Sequence, residues 1–278
     1  MKIAVLTDSS ADISVKEATE KGIHVIRFPL VIDGEEHVEA VTITLEEFTK
    51  RMYDGALAMT SQPVVGLLLE KWDEMLKEYD HVIYACISAG ISGAYETAAV
   101  QARNYEGKVT VLDTCYVAYP MQTLCEEIQE MINQGYTPEE IKEKVESSEK
   151  MDAILIPGDL KYLKRGGRIS AQAAALANLL KIVPLLVVAD GKIDAYEKVR
   201  TPKKAYEEAL KYFVDRTENY EDYYWYVVHA DSEELGKELR ERVATLTGQE
   251  VVLEKLYPVI MAHTGPGSVA IARSKKRT

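Results

Sequence analysis

Ser92 lies between two glycines in the stretch Ser88-Ala89-Gly90-Ile91-Ser92-Gly93, which follows an apolar run from Ile83 and leads into a helical pattern through Ala99. Glycines on either side of a hydroxyl permit positive φ and close approach of a ligand. A helix starting near Ser92 would aim free N–H groups and its positive dipole end at the same point. That chemistry is anion binding, although a βα turn with a serine N-cap has the same residue pattern. Three further stretches carry groups that could act with it. Thr60-Ser61-Gln62-Pro63 sets two hydroxyls ahead of a helix, an arrangement that ordinary helix-start chemistry also produces. Lys161, Lys164, Arg165 and Arg168 surround Gly166-Gly167. They read either as backbone and guanidinium groups meeting an anion or as a solvated helix end. His263 opens His263-Thr264-Gly265-Pro266-Gly267 after the apolar run Val259–Ala262, which places it at a strand end.

These residues need a scaffold, and the pattern of the chain supplies one. Lys2–Asp8 reads as a first strand ending in Thr7-Asp8-Ser9-Ser10. Open α/β sheets place ligand groups at such a point, and Asp8 or Ser9 could equally cap the turn. A helix follows from about Ser14, then a strand over Ile23–Ile32, a hairpin turn at Asp33-Gly34 and a capping box at Thr44–Glu47. A helix over Gly66–Glu78, the central strand and loop, a strand at Val109–Thr114 and a helix over Gln122–Asn133 continue the alternation. Thr137 starts the next helix. The order predicts an N-terminal three-layer α/β/α domain with a parallel sheet over residues 1–150. After Lys150 the texture changes. The apolar region Ala171–Ala189, interrupted by Gln172, Asn178, Lys181 and Pro184, reads as a buried helix followed by a strand. Asp190-Gly191 makes a hairpin, Pro202–Phe213 and Ser232–Leu246 make helices, and Tyr223–Ala230 is a strand rich in aromatic and β-branched residues. Residues 151–278 are therefore expected to form a C-terminal α/β domain with a mixed sheet.

Composition narrows the function classes. At 278 residues and 47% apolar content the chain can bury two sizeable cores. Its net charge of −12 argues against nucleic acid as a partner. Three cysteines without metal-type spacing point to a reducing, cytoplasmic compartment, and Cys86 reads as a small buried side chain. Met1-Lys2 leads directly into the first strand, so no secretory leader is expected.

The motifs TSQP (Thr60–Pro63), ISAGISGAY (Ile87–Tyr95), LDT (Leu112–Thr114), LKYLKRGGRIS (Leu160–Ser170), the ADGKI turn and HTGPG (His263–Gly267) occur in the order seen in DegV-family proteins. Over nearly its whole length the chain resembles that family. The resemblance implies a two-domain α/β fold with a long-chain fatty acid buried between the domains. It also implies a cytoplasmic, monomeric substrate-presenting subunit of a bacterial fatty acid kinase, with no activity, cofactor or metal of its own. Transient membrane contact fits that role. Carried over by motif, Thr60, Ser61, Ser92, Gly93 and His263 would face the fatty-acid carboxylate. Arg168 would lie near the head group on the kinase-facing side, so Arg168→Ala is expected to keep lipid but lower acyl-phosphate formation. Arg200, in VRTPKKA, would also meet the kinase. Val64 after TSQP and Ala89 in ISAGIS depart from the family pattern and bear on ligand preference. The alternative from another class is a serine hydrolase with Ser92 as nucleophile and His263 as base, against which stands the lack of a GxSxG elbow. A sensor of small anions using the basic Gly-Gly cluster is a third reading.

Overall fold

A computed structural model describes residues 1–176 and 181–277, so Asn178 lies outside the described residues. The first half runs β1 (Ile3–Asp8), α1 (Val15–Lys21), β2 (His24–Ile26), β3 (Pro29–Ile32), β4 (Glu35–Val38), α2 (Leu45–Tyr53) and β5 (Ala58–Thr60). It continues through α3 (Val65–Met75), β6 (His81–Cys86), α4 (Ala94–Ala102), β7 (Val109–Asp113), α5 (Tyr119–Asn133) and α6 (Pro138–Ser147). Four strands form a parallel sheet in the order β2-β1-β6-β7. Every residue of the inner strand β6 is buried, Cys86 included, as expected of a parallel strand covered on both faces. Ser14 and Thr137 each complete a capping box, whereas Thr44 makes only the half in which its hydroxyl accepts from Glu47 N.

The strand expected over Ile23–Ile32 is two strands in different sheets. β2 pairs with β1, but the chain leaves that sheet at Arg27-Phe28, where Phe28 N donates to Ser9 Oγ at 2.9 Å. Pro29, lacking an N–H, then opens β3 in a small antiparallel sheet of order β4-β3-β5. The Asp33-Gly34 hairpin is present between β3 and β4, with both residues at positive φ.

The second half contains β8 (Asp152–Ile156), α7 (Lys161–Gly166), α8 (Ala171–Leu176), β9 (Val183–Ala189), β10 (Lys192–Val199) and α9 (Pro202–Val214). β11 (Tyr223–His229), α10 (Glu233–Thr247), β12 (Val251–Lys255), α11 (Pro258–Thr264) and β13 (Val269–Lys275) complete it. Its six-stranded sheet has the order β10-β9-β8-β13-β11-β12, and only the β11–β12 pair is parallel. All strands of this sheet follow residue 151, and those of the other two sheets precede it. Two expectations are corrected here. Helix α8 is mostly not buried, with only Ala173 buried, because it packs beside the β10 edge and not inside the core. Val259–Ala262 belongs to a helix, because Pro258 at its first turn presets φ and Tyr257 N and Val259 N, at its start, find acceptors in Asp12 and Glu39.

The two faces of the six-stranded sheet separate by the alternation of strands. Ile154, Ile156, Leu185, Trp225, Val227, Val269 and Ile271 pack under α9 and α10. The alternate residues, among them Ala153, Leu155, Val188, Val228, Ala270 and Ala272, join the core of the first half. That shared core holds the site.

Candidate functional site

A pocket lies between the parallel sheet and the six-stranded sheet, open to solvent at its mouth. Its floor is the inward face of the large sheet, from Ala153 and Leu155 across Ala270 and Ala272 to Val228. Phe28, Ile87, Val117, Leu163 and Val259 add apolar walls. Among the described residues its polar lining is Thr60, Ser61, Gln62, Ser92, Arg168, His263 and Thr264. The structure thus brings together Thr60, Ser61, Ser92, His263 and Arg168 from four separate stretches of sequence.

Each is positioned by its own element. Thr60 ends β5, and its Oγ1 lies 2.7 Å from His263 Nε2. Ser61 is exposed just beyond and is tied to β3 through its N–H, 3.3 Å from Pro29 O. His263 stands in the last turn of α11, not at a strand end. Ser92 Oγ accepts from Ala94 N at 3.2 Å, so the helix begins at Ala94, with Gly93 at the cap position. Gly93 lines an adjoining surface groove with Ser92 and Arg168.

The glycines act differently from the expectation. Neither Gly90 nor Gly93 has positive φ. Gly90 is needed for closeness to protein: a Cβ there would lie 2.3 Å from Gly191 O, the same carbonyl that accepts from Ser88 Oγ at 2.7 Å. The loop bearing Ser92 is thereby docked on the β9–β10 hairpin of the other half. In the Gly-Gly pair, Gly167 at φ 67° ends α7 by donating to Leu163 O and Lys164 O. Gly166 makes room for the imidazole, since a Cβ would lie 2.5 Å from His263 Nδ1. Asp8 resolves as a structural group: buried at the end of β1, it accepts from Ser10 N, Ile87 N and Tyr84 Oη.

The basic cluster divides. Lys161 pairs with Asp159 at 2.8 Å, Arg165 lies over the Tyr162 ring, and of the four only Arg168 lines the pocket. Its Nη1 donates to Gly166 O, which leaves other guanidinium N–H groups for a ligand. Arg200 is exposed immediately after β10 and is not among the lining residues.

Burial pushes the His263 pKa down to about 4, and the charges of Arg168 and Arg165 push it the same way. The imidazole is therefore neutral at pH 7. Its Nδ1 is buried without a hydrogen-bond partner, so the orienting carboxylate of a hydrolase triad is not present there among the described residues. His263 binds its proton less readily when folded than when unfolded. Its contribution to stability is thus present above about pH 6.5 and is lost as pH falls toward 4. Lipid-free protein is expected to lose melting temperature across that interval, and His263→Gln to flatten this part of the profile. Identical profiles for the two proteins would contradict a buried neutral imidazole.

The lining residues Phe28, Ile91, Val117, Pro120 and Leu256 were not singled out by sequence. Nothing in local spacing separates an apolar side chain that lines a cavity from one that fills a core. Among the described residues no His, Cys, Asp and Glu group could hold a metal ion, and no helix is long and apolar enough to cross a membrane.

Known proteins share this architecture. A family model described as the uncharacterised DegV family matches residues 2–276. A DegV domain-containing protein of Streptococcus pneumoniae is 35% identical over 277 residues, covering 98% of each chain. Among solved structures, the fatty acid binding DegV family protein SAG1342 of Streptococcus agalactiae superposes with TM-score 0.90 at 28% identity, covering 99% of each chain. DegV of Bacillus subtilis, described as a fatty acid binding protein, gives 0.87 at 29% identity, covering 99% of this chain and 100% of that one. A DegV family protein of Thermus thermophilus, whose structure is described as showing fatty acid binding, gives 0.88 at 28% identity with the same coverage. With its motifs, its two-sheet architecture and these matches in agreement, the chain belongs to the DegV family.

Proposed function

We propose that this protein binds a long-chain fatty acid between its two halves and presents the carboxylate to an ATP-dependent kinase that forms an acyl phosphate. The observation that carries the reading is the asymmetry of the pocket, an apolar sleeve whose few polar groups include the Thr60–His263 pair and Arg168. Burying about sixteen carbons at ~0.8 kcal/mol per CH₂ offers on the order of 12 kcal/mol before the costs of ordering. A carboxylate taken from water needs donors in its place. Thr60, Ser61, Ser92 and His263 carry hydroxyl and imidazole groups for that purpose, and Arg168 carries the countercharge. In this reading the two domains are residues 1–150 and 151–278, and the protein alone performs no chemistry. Arg200, exposed and away from the pocket, is free of any ligand role and suits contact with the kinase.

Denaturing extraction and mass spectrometry of the purified protein are expected to release a long-chain fatty acid, and adding such an acid to lipid-free protein should raise its melting temperature. Recovery of no lipid together with no thermal shift would defeat the proposal. Ser92→Ala is expected to weaken retention by roughly 1.5–3 kcal/mol, the worth of one hydrogen bond to a charged acceptor. Steady ester turnover by the wild type, abolished in Ser92→Ala, would transfer the case to the hydrolase.

A further inference from the structure

Helix α11 contributes Val259, Ile260, His263 and Thr264 to the pocket, yet its own first turn has no side-chain cap. Tyr257 occupies the cap position, and Pro258 brings no N–H. The remaining donors go to two carboxylates from the opposite half of the chain. Asp12 Oδ1 accepts from Tyr257 N at 3.0 Å, and Glu39 Oε2 accepts from Val259 N at 3.0 Å. Glu39 is fully buried and Asp12 is 4% exposed, and neither lines the pocket. We propose that Asp12 and Glu39 are positioning residues that hold the start of α11 across the two halves and so set where His263 meets Thr60.

Helix α11 also lies against α7, β5, α2 and the turn Ser9–Ala11, and apolar packing, being non-directional, resists separation better than rotation. Two hydrogen bonds to successive free donors fix both the axis and the rotation of the first turn. His263 lies four residues after Val259, on the same face one turn further on, so a turn of the helix start carries the imidazole with it. The arrangement is a poor one for stability alone, because burying polar groups forfeits hydration unless every atom finds a partner. Asp12 Oδ2 has no partner at all. Around the pair, Arg27 Nη1 donates to Glu39 Oε1 at 3.1 Å, while Asp8 opposes charge on Glu39, and Glu39 and then Glu254 oppose charge on Asp12. Burial and these neighbours leave Glu39 near pH 7 and Asp12 well above the usual carboxylate range.

The affinity arm of the test rests on the fatty-acid reading, and the spectroscopic arm does not. Glu39→Gln and Asp12→Asn are made in the full chain, each alone and combined with His263→Ala. Histidine-selective ¹⁵N spectra of lipid-free protein report the His263 ring, and titration with palmitate reports affinity. Each carboxylate variant is expected to shift the His263 ring signals and to weaken palmitate about fivefold or more. In the His263→Ala background the same substitutions should add less than about twofold, because a positioning residue acts through the group it positions. Unchanged ring signals, or the same loss with and without His263, would overturn the inference. Wild-type protein that takes up no palmitate would refute the proposed function, and the ring signals would then decide the role of Asp12 and Glu39. Two independent variants keep the test open if one of them fails to fold.

Discussion

Arg168→Ala is expected to release the fatty acid, with affinity falling by roughly 1.5–3 kcal/mol, a factor of about 10 to 150. This expectation revises the one drawn from sequence, in which the substitution spares binding and lowers only turnover with the kinase. The reason is position. Arg168 lines the inner pocket beside His263 and Ser92 as well as two adjoining surface grooves, and its charge is felt by His263. The neutral imidazole and the hydroxyls can donate hydrogen bonds but bring no charge, so Arg168 is the cation available to a buried carboxylate among the lining residues. Lysine at 168 should restore part of the loss, since charge returns without the planar fork. Bound lipid by mass spectrometry and acyl-phosphate formation with kinase and ATP form the paired measurement. Full lipid retention with turnover lost would return Arg168 to the kinase-facing role.

The largest effect on stability is expected from Glu127→Ala. Glu127 on α5 and Arg277 beyond β13 form an ion pair with side chains 4% and 2% exposed. Glu127 Oε2 accepts from Arg277 Nη1 at 3.0 Å, and Oε1 accepts from Arg277 N at 2.8 Å. Arg277 also reaches Tyr116 Oη at 2.8 Å and Ser148 Oγ at 3.1 Å. Removing the carboxylate strands a buried guanidinium, which costs roughly 3–5 kcal/mol. Replacing both partners by leucine should cost much less, because no unpaired charge remains. Urea unfolding of the single and double variants measures the difference, and a loss below about 1 kcal/mol in Glu127→Ala would contradict the pairing. Tyr116 precedes the lining residues Val117 and Ala118, so the same substitution is expected to loosen that wall and speed loss of ligand.

By itself the sequence determined the elements whose signals are local. Ser14 and Thr137 announce their helices because a hydroxyl three residues before a glutamate can satisfy both donors within one turn. Asp33-Gly34 and Asp190-Gly191 announce hairpins because their backbones must take positive φ. The buried run of β6 and the βα alternation specify a covered parallel sheet. The ordered motifs were enough to indicate the family. Tertiary structure decided what depends on distant neighbours. Pro29 permits a break in Ile23–Ile32, but the change of sheet depends on Ser9 receiving Phe28 N. The residues Val259–Ala262 are short and apolar, and such a run carries no period that tells helix from strand. Gly90 owes its identity to Gly191 O, in the other half of the chain, and Gly166 to His263 Nδ1, on a helix far along the sequence. The Thr60–His263 pair spans 203 positions, and Asp12 and Glu39 reach α11 across 245 and 220. Side chains that line a cavity and side chains that fill a core obey the same hydrophobic pattern, so the pocket exists only once the two sheets face one another.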